Sequence, residues 1–419
     1  MKIHKSFLIA TVVLLLSFSK QGLTMEDDSP DNNNSTSMAG TPAKLPIEIQ
    51  VHILSFLDQG DLLRAGGTSK NWRQAAEEIW KNKHLDLSHR RLIQADYKAL
   101  AQGPFSSLIL RSVQLRKEEA CILALSSRLK HLDLRDNGIG AEGAKGLASG
   151  NFTGLTALNL GRNDIGAEGA KALANGNLSA LTELDLNGNR IGDEGAKEIA
   201  SGNLFGLTAL NLGRNDIGAE GAKALASGNL SALIVLYLYG NHIGAEGAKG
   251  LASGNFSALT ELYCGSNEIG DEGAKEIATG NLTGLTTLNL MGNSIGDEGA
   301  KALASGNFSA LTKLDLYGNH TGAKGAKALA SGNLSALTEL DLNGNRIGDE
   351  GAKEIATGNL FGLTALDLSG NRIGDEGAKE IASGNLSALK VLTLHNNCIG
   401  AEGKNALAKN VRLIITLYY

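Results

Sequence analysis

Side chains able to do acid–base or metal chemistry are plentiful in this chain, but spacing sets none of them apart. Adjacent carboxylates such as Asp193-Glu194 have the make-up of an acid and base pair. The same pair returns at one position of a repeat, near the start of a helical pattern where the helix dipole favours negative charge, so recurrence points to capping. Cys121, Cys264 and Cys398 lie far apart with no C-x-x-C or His/Cys ligand spacing, so they imply no metal and read as small buried apolar residues. Gly-x-Gly fragments carry no weight as phosphate loops when 54 of 419 residues are Gly, and no cofactor is expected. The N-x-S/T sites, Asn151 and Asn177 among them, all fall at one repeat position and read as part of the repeat. The formal charge of -5 is mild and the signs are interspersed, which argues against nucleic acid as a partner. The chemistry left is that of binding. Tyr237 and Tyr239 stand two residues apart, and Tyr263, Met291 and Tyr317 follow in the next repeats, where other copies carry Asp, Asn, Gly, Ala or Thr. Adjacent strands lie about 4.8 Å apart, which predicts one target-binding patch roughly 15 Å long. Exposed aromatic and Met clusters of this kind are frequent hot spots. His242 and His320 stand near one border of it, just past the Asn that recurs at the bend of each repeat.

The elements that must carry these residues are set by repetition. Eleven times between Asn137 and Asn397, at intervals of 26 residues, the chain reads L-x-x-L-x-L-x-x-N, with Cys264 in place of one inward Leu. Most copies continue x-I-G-x-E-G-A-K. A period in this range, with one strand and one helix per unit, is the signature of a leucine-rich solenoid. In the copy from Leu181 to Gly202, Leu184 and Leu186 alternate with Glu183, Asp185 and Asn187 as a short strand with one buried face. Asn189 at the bend predicts a buried amide ladder. Ala196, Ile199 and Ala200 form the inward stripe of a helix that Gly202 ends as a C-cap glycine. The fold class is therefore α/β, a solenoid with a parallel sheet inside and helices outside.

The domain boundaries expected are 129–412 for eleven repeats, 85–128 for two looser leading ones, and 413–419 for a terminal strand. That last apolar strand predicts an uncovered edge, read as self-pairing or a shortened gene. Ahead of the repeats, 1–24 has a basic start, an apolar run from Ser6 to Phe18 and small residues at Gly22-Leu23-Thr24, which predicts a signal peptide. A misassigned start, with Met25 as the true one, is the alternative. Residues 25–44, rich in Asp, Asn, Ser and Thr, predict a disordered linker.

Residues 45–84 predict a small all-α unit. Pro46 suits a first helical turn, and Ile49, Ile53, Phe56 and Leu57 share one stripe, while Ile47, Val51 and Leu54 cover other faces. A helix apolar nearly all round must be buried all round, and about forty residues offer too little interior for that. The stretch LPIEIQVHILSFLDQGDLLRAGGTSKNWRQAAEEIWK closely resembles an F-box, including Asp61-Leu62-Leu63-Arg64 and the Ser69-Lys70-x-Trp72-Arg73 run. That resemblance implies docking on the Skp adaptor of a cullin ubiquitin ligase through Leu45, Pro46, Ile49, Leu54, Leu57 and Leu62. Gly66-Gly67-Thr68 departs from it, standing where F-box relatives usually carry larger apolar residues. Each interior Gly costs about 1 kcal/mol relative to Ala, so the unit is expected to be loose until bound.

The phrase GAEGAKALAS at Gly218 to Ser227 resembles the ribonuclease-inhibitor type of repeat and the GALA effectors of plant-pathogenic bacteria. The likeness covers about two thirds of the chain. Two classes of function follow. One is a non-enzymatic adaptor that brings a target protein on the concave face to a host ubiquitin ligase, exported by a bacterium through its signal peptide, or cytosolic if Met25 is the start. The other is a binding or inhibitor module whose N-terminal helices only cap the solenoid. A GTPase activator resembling the Ran type is a further alternative, although no Asn or Arg stands out from the repeat as catalytic.

Overall fold

The computed structural model describes residues 84–103, 105–409 and 414–416. Three-residue strands alternate with helices of seven to ten residues throughout. The strands are β1 (His84–Asp86), β2 (Ser107–Ile109), β3 (His131–Asp133), β4 (Ala157–Asn159), β5 (Glu183–Asp185), β6 (Ala209–Asn211) and β7 (Val235–Tyr237). They continue as β8 (Glu261–Tyr263), β9 (Thr287–Asn289), β10 (Lys313–Asp315), β11 (Glu339–Asp341), β12 (Ala365–Asp367), β13 (Val391–Thr393) and β14 (Ile414–Thr416). All fourteen form one parallel sheet whose spatial order is the chain order. No helix among the described residues is long and apolar enough to cross a membrane.

Register puts like residues side by side, so that Leu184 pairs with Leu158 on one side and Leu210 on the other, all buried. Leu181, Leu186, Ile191, Ile199 and Leu204 are the other large buried side chains of that coil. Burying six such side chains is worth about 1.5–3 kcal/mol each. Ordering 26 residues of backbone costs about 1–2 kcal/mol each, so no coil folds alone and the core exists only as a stack. Glycine and alanine on the helices set how closely coils approach. A Cβ on Gly195 would lie 3.2 Å from Ala167 Cα and from Ala170 Cβ of the preceding helix.

Asparagines at the bend form the ladder expected from their spacing. Asn241, 2% exposed, donates from Nδ2 to Leu212 O (3.0 Å) and Leu238 O (2.8 Å). Its Oδ1 accepts from the backbone N–H of Asn215 (2.9 Å) and Ile217 (3.0 Å). Each such amide thus stitches its own bend to the coil before it.

In the regular repeats helix starts come in two forms, and the difference is set one coil away. Asp193 does not cap its own helix. Its Oδ1 accepts from Gly218 N (2.7 Å) and Gly221 N (2.9 Å), at the head of the next helix. Asp271, Asp297, Asp349 and Asp375 do the same for Gly296, Gly322, Gly374 and Gly400. Those glycines have φ between -86° and -100°. Where the residue 25 positions earlier is Ala, as for Gly166, Gly192, Gly244, Gly270 and Gly348, φ is near +60° instead. The Gly166 N–H then turns forward to Asn189 O (2.9 Å). In the capped form the preceding carbonyl takes the forward bond, as Ile217 O does from His242 N (2.8 Å). One upstream carboxylate therefore flips one peptide. Replacing Asp271 with Ala should cost about 1–2 kcal/mol, the usual worth of an N-cap. Urea denaturation measures it, and a change within error would show that the bond contributes nothing.

Gly202 does end its helix, but not by a left-handed turn. Its φ of -78° is open to any residue; a Cβ there would lie 2.5 Å from Ala174 O, so close approach between coils demands glycine.

Candidate functional site

The outward face of the sheet is where side chains are free to vary, because the alternate positions are fixed as core. In β7 and the residues after it, Leu236 and Leu238 are buried while Val235, Tyr237 and Tyr239 face out. Tyr237 lies beside Tyr263 in register, and the two rings stack with centroids 4.6 Å apart and planes 17° from parallel. Such a pair is worth about 0.5–1.5 kcal/mol beyond its buried area. The Tyr263 hydroxyl donates to Glu261 Oε2 (2.8 Å). Burial, then that bond and the Glu261 charge, hold the Tyr263 phenol well above its ordinary range; burial raises Tyr237 as well.

Tyr239 leans away from that stack towards earlier coils. Its hydroxyl accepts from Asn187 Nδ2 (2.8 Å), two coils back, and its ring crosses Gly213, where a Cβ would lie 2.7 Å from it. Asn187, expected on the open face, is only 7% exposed beneath it. Met291 folds over Gly265, and Tyr317, 42% exposed, leans to the following coil near Gly344. The five side chains therefore form two columns, Tyr237 and Tyr263 in one and Tyr239, Met291 and Tyr317 in the other, with Gly265 interrupting the second. His242 is exposed with Nδ1 3.4 Å from Glu268 Oε1, and His320 is exposed too.

The stacked tyrosines divide the concave face into two troughs. One, of about 550 Å³, runs from β2 to β7 and ends on Tyr237. The other, of about 360 Å³, begins at Tyr263 and runs to β13. Ile234, 43% exposed, stands at the sheet border just before β7, where Thr208 and Thr260 of the flanking coils bond their predecessors through Oγ1. Thr holds this position in eight of the eleven regular repeats, and besides Ile234 only Lys130 and Lys390 depart from it.

Charge also differs between the troughs. From β4 to β13 the outward positions carry Glu183, Asp185, Glu261, Asp315, Glu339, Asp341 and Asp367 against one ammonium, Lys313, which is bound to Glu339 at 2.8 Å. In the first trough Asp133 is held by Arg111 at 2.6 Å. In the second, burial pushes the Asp341 carboxyl up to about 6 against the pull of the Asn343 N–H, and Asp315 and Asp367 add repulsion. Burial raises Asp315 as well. On the outer helices, by contrast, charges pair between coils, as Lys171 with Glu198 and Lys327 with Glu354, both at 2.9 Å.

Only one of the three cysteines is buried. Cys264 takes an inward Leu position, fully enclosed, and burial pushes its thiol up to about 12. Cys121 and Cys398 are exposed, on a helix and just past a ladder Asn, so position in the coil overrides the apolar tendency of the residue.

Fold and face together define a leucine-rich solenoid presenting its sheet as a binding surface. The leucine-rich-repeat family model matches ten segments between 126 and 382, more than half of the chain, and the chain belongs to that family. An F-box-like model matches residues 42–86. The positions Leu45, Pro46, Ile49, Leu54, Leu57 and Leu62 fall inside that match and outside the described residues. Both families are typically non-enzymatic binding modules, and their combination is that of a protein-interaction adaptor. No curated protein matches the chain. Among solved structures it is similar to an internalin, inlF, from Listeria monocytogenes, with a TM-score of 0.60 and 23% identity over 86% of this chain and 94% of that one. It is also similar to the mouse RP105/MD-1 complex, with a TM-score of 0.54 and 21% identity over 79% of this chain and 52% of that one. At such identities the likeness is one of fold.

Proposed function

We propose that this protein is a substrate receptor of a ubiquitin ligase. The F-box-like segment holds a Skp adaptor and through it a cullin, while the concave face of the solenoid holds a target. Ubiquitin transfer is then directed by proximity, with the chemistry left to the ligase. The observation that carries this reading is the match over residues 42–86, which runs without a break into β1 at His84. Anything docked on that segment is thereby joined through the chain itself to the binding sheet. The test is co-purification of the tagged chain from eukaryotic lysate. Recovery of the adaptor and cullin supports the reading; their absence replaces it with a binding module whose N-terminal segment is a cap.

We further propose that the protein is exported by a bacterium and works in a host cell. The support is the basic start, the short apolar run and the small residues within 1–24. Those residues fused to a reporter should carry it out of a bacterial cytoplasm, with processing near Met25. Reporter found only in the cytoplasm and uncleaved would instead make Met25 the start of a cytosolic protein.

A further inference from the structure

Three carboxylates of the C-terminal trough do a structural job that a neutral amide does equally well elsewhere in the sheet. Oδ1 of Asp315, Asp341 and Asp367 accepts from the N–H two residues on, at 2.8 to 2.9 Å. Asn159, Asn211 and Asn289 occupy the same position in their coils and make the same bond, at 2.9 to 3.1 Å. The turn needs an oxygen, not a charge. Holding charge on a half-buried carboxyl opposes folding, and three in a row repel one another. Among the described residues neither Asp341 nor Asp367 forms a salt bridge, since Lys313 is engaged by Glu339. Arg346 and Arg372 stand one residue past their ladder asparagines and do not line the trough.

Register places these carboxylates at the end of a graded column. Tyr237, Tyr263, Asn289, Asp315, Asp341 and Asp367 follow one another on successive strands. The column thus reads as two rings, one amide and three acids, on a sheet face that nothing among the described residues covers. Its complement is a segment with an apolar end and a row of cations.

We propose that the partner presents a cationic α-helix to this trough, lying across the strands with an apolar side chain against the Tyr237–Tyr263 stack and Lys or Arg on successive turns over Asp315, Asp341 and Asp367. This rests on the concave face being the target-binding surface. Spacing selects a helix over an extended segment. Successive strands are about 4.8 Å apart and successive helical turns about 5.4 Å, so over two intervals the mismatch is about 1.2 Å, within reach of a flexible Lys or Arg side chain. Same-face side chains of an extended segment recur at about 6.7 Å and would miss by about 4 Å. From β8 to β13 the trough spans five strand intervals, about 24 Å, which a helix of about 16 residues fills.

The test uses the full chain and a fluorescein-labelled peptide of about 18 residues on an Ala and Gln background. The peptide carries one Leu, with Lys about seven, eleven and fourteen residues further on, one face of a helix. A control of the same composition carries its lysines at alternate positions. In fluorescence anisotropy the helical design should bind at least about tenfold more tightly than the control, and Tyr237→Ala with Tyr263→Ala should weaken it by about tenfold. Asp315→Asn, Asp341→Asn and Asp367→Asn together should abolish the preference, while Asp185→Asn in the other trough leaves it intact. Asn keeps the turn bonds at all three positions, but Asp315→Asn also removes the oxygen that accepts from Asn289 Nδ2, so only Asp341→Asn with Asp367→Asn is expected to melt no lower than the unaltered chain. Should the triple variant melt lower, Asp341→Asn alone decides, with a loss of about threefold expected. Equal affinity for the two peptides, no binding, or affinity unchanged by removal of the carboxylates overturns the proposal. Peptide binding needs no ligase, so its failure and a failure of adaptor co-purification are separate results.

Discussion

Asn241→Ala is expected to lower the unfolding free energy by about 4 kcal/mol or more. The side chain satisfies four buried backbone groups, two N–H and two C=O, in two neighbouring coils. Each such group left without a partner costs about 1–3 kcal/mol, and the Ala methyl offers neither donor nor acceptor in place of the amide. The core contacts run between neighbouring coils, so a fault at one coil weakens the coupling between the halves on either side of it. Urea unfolding, cooperative in the unaltered chain, should then separate into two transitions. Lys249→Ala on the outer helix is the matched control, expected to stay within about 0.5 kcal/mol as surface changes do. A loss under about 1 kcal/mol for Asn241→Ala, with one transition retained, would remove the ladder from the account of stability.

Leu45→Ala combined with Pro46→Ala should reduce retention of the Skp adaptor by at least about a hundredfold. Truncating a buried interface anchor typically costs about 2 kcal/mol or more, and two of them exceed the 2.7 kcal/mol that a hundredfold represents. The apolar residues from Ile47 to Leu57 surround their helical pattern on all sides, more than so short a segment can enclose alone. Tyr237→Ala with Tyr263→Ala, in the repeats, should leave adaptor retention unchanged. Quantitative recovery from eukaryotic lysate reads both. If the double variant at 45 and 46 still holds the adaptor, the F-box-like match marks a different contact.

Much of the fold is legible in the sequence because one coil is written many times. The spacing of Leu184, Leu186 and Asn189 places strand, core and ladder, and the structure finds all three where the period puts them. The concave face is less legible. Its pattern assigns Tyr237 and Tyr239 to one side of the sheet, correctly, but not the direction in which each side chain leans. Tyr239 reaches Asn187, 52 residues away, because Gly213 leaves room for its ring, and that contact spans three coils. The Asp193 cap is hidden for the same reason. Its partners lie 25 and 28 residues ahead, so a dipole argument confined to one helix finds the sign of the charge and misses the bond. Residues 45–62, which carry the adaptor-binding reading, lie outside the described residues, and sequence remains their only source.

The peptide flip governed by an upstream aspartate has a consequence for how such an array can be rearranged. The stretches Leu181–Ala200 and Leu337–Ala356 carry the same residues, and both follow a coil with Ala at the deciding position, so Gly192 and Gly348 share a φ near +62°. Moved to follow an aspartate-bearing coil, either copy would begin its helix in the other form without a change in its own sequence. A coil of this protein is therefore not a self-contained brick. Its conformation is inherited from the neighbour before it, and duplication or loss of one copy reshapes the next one along.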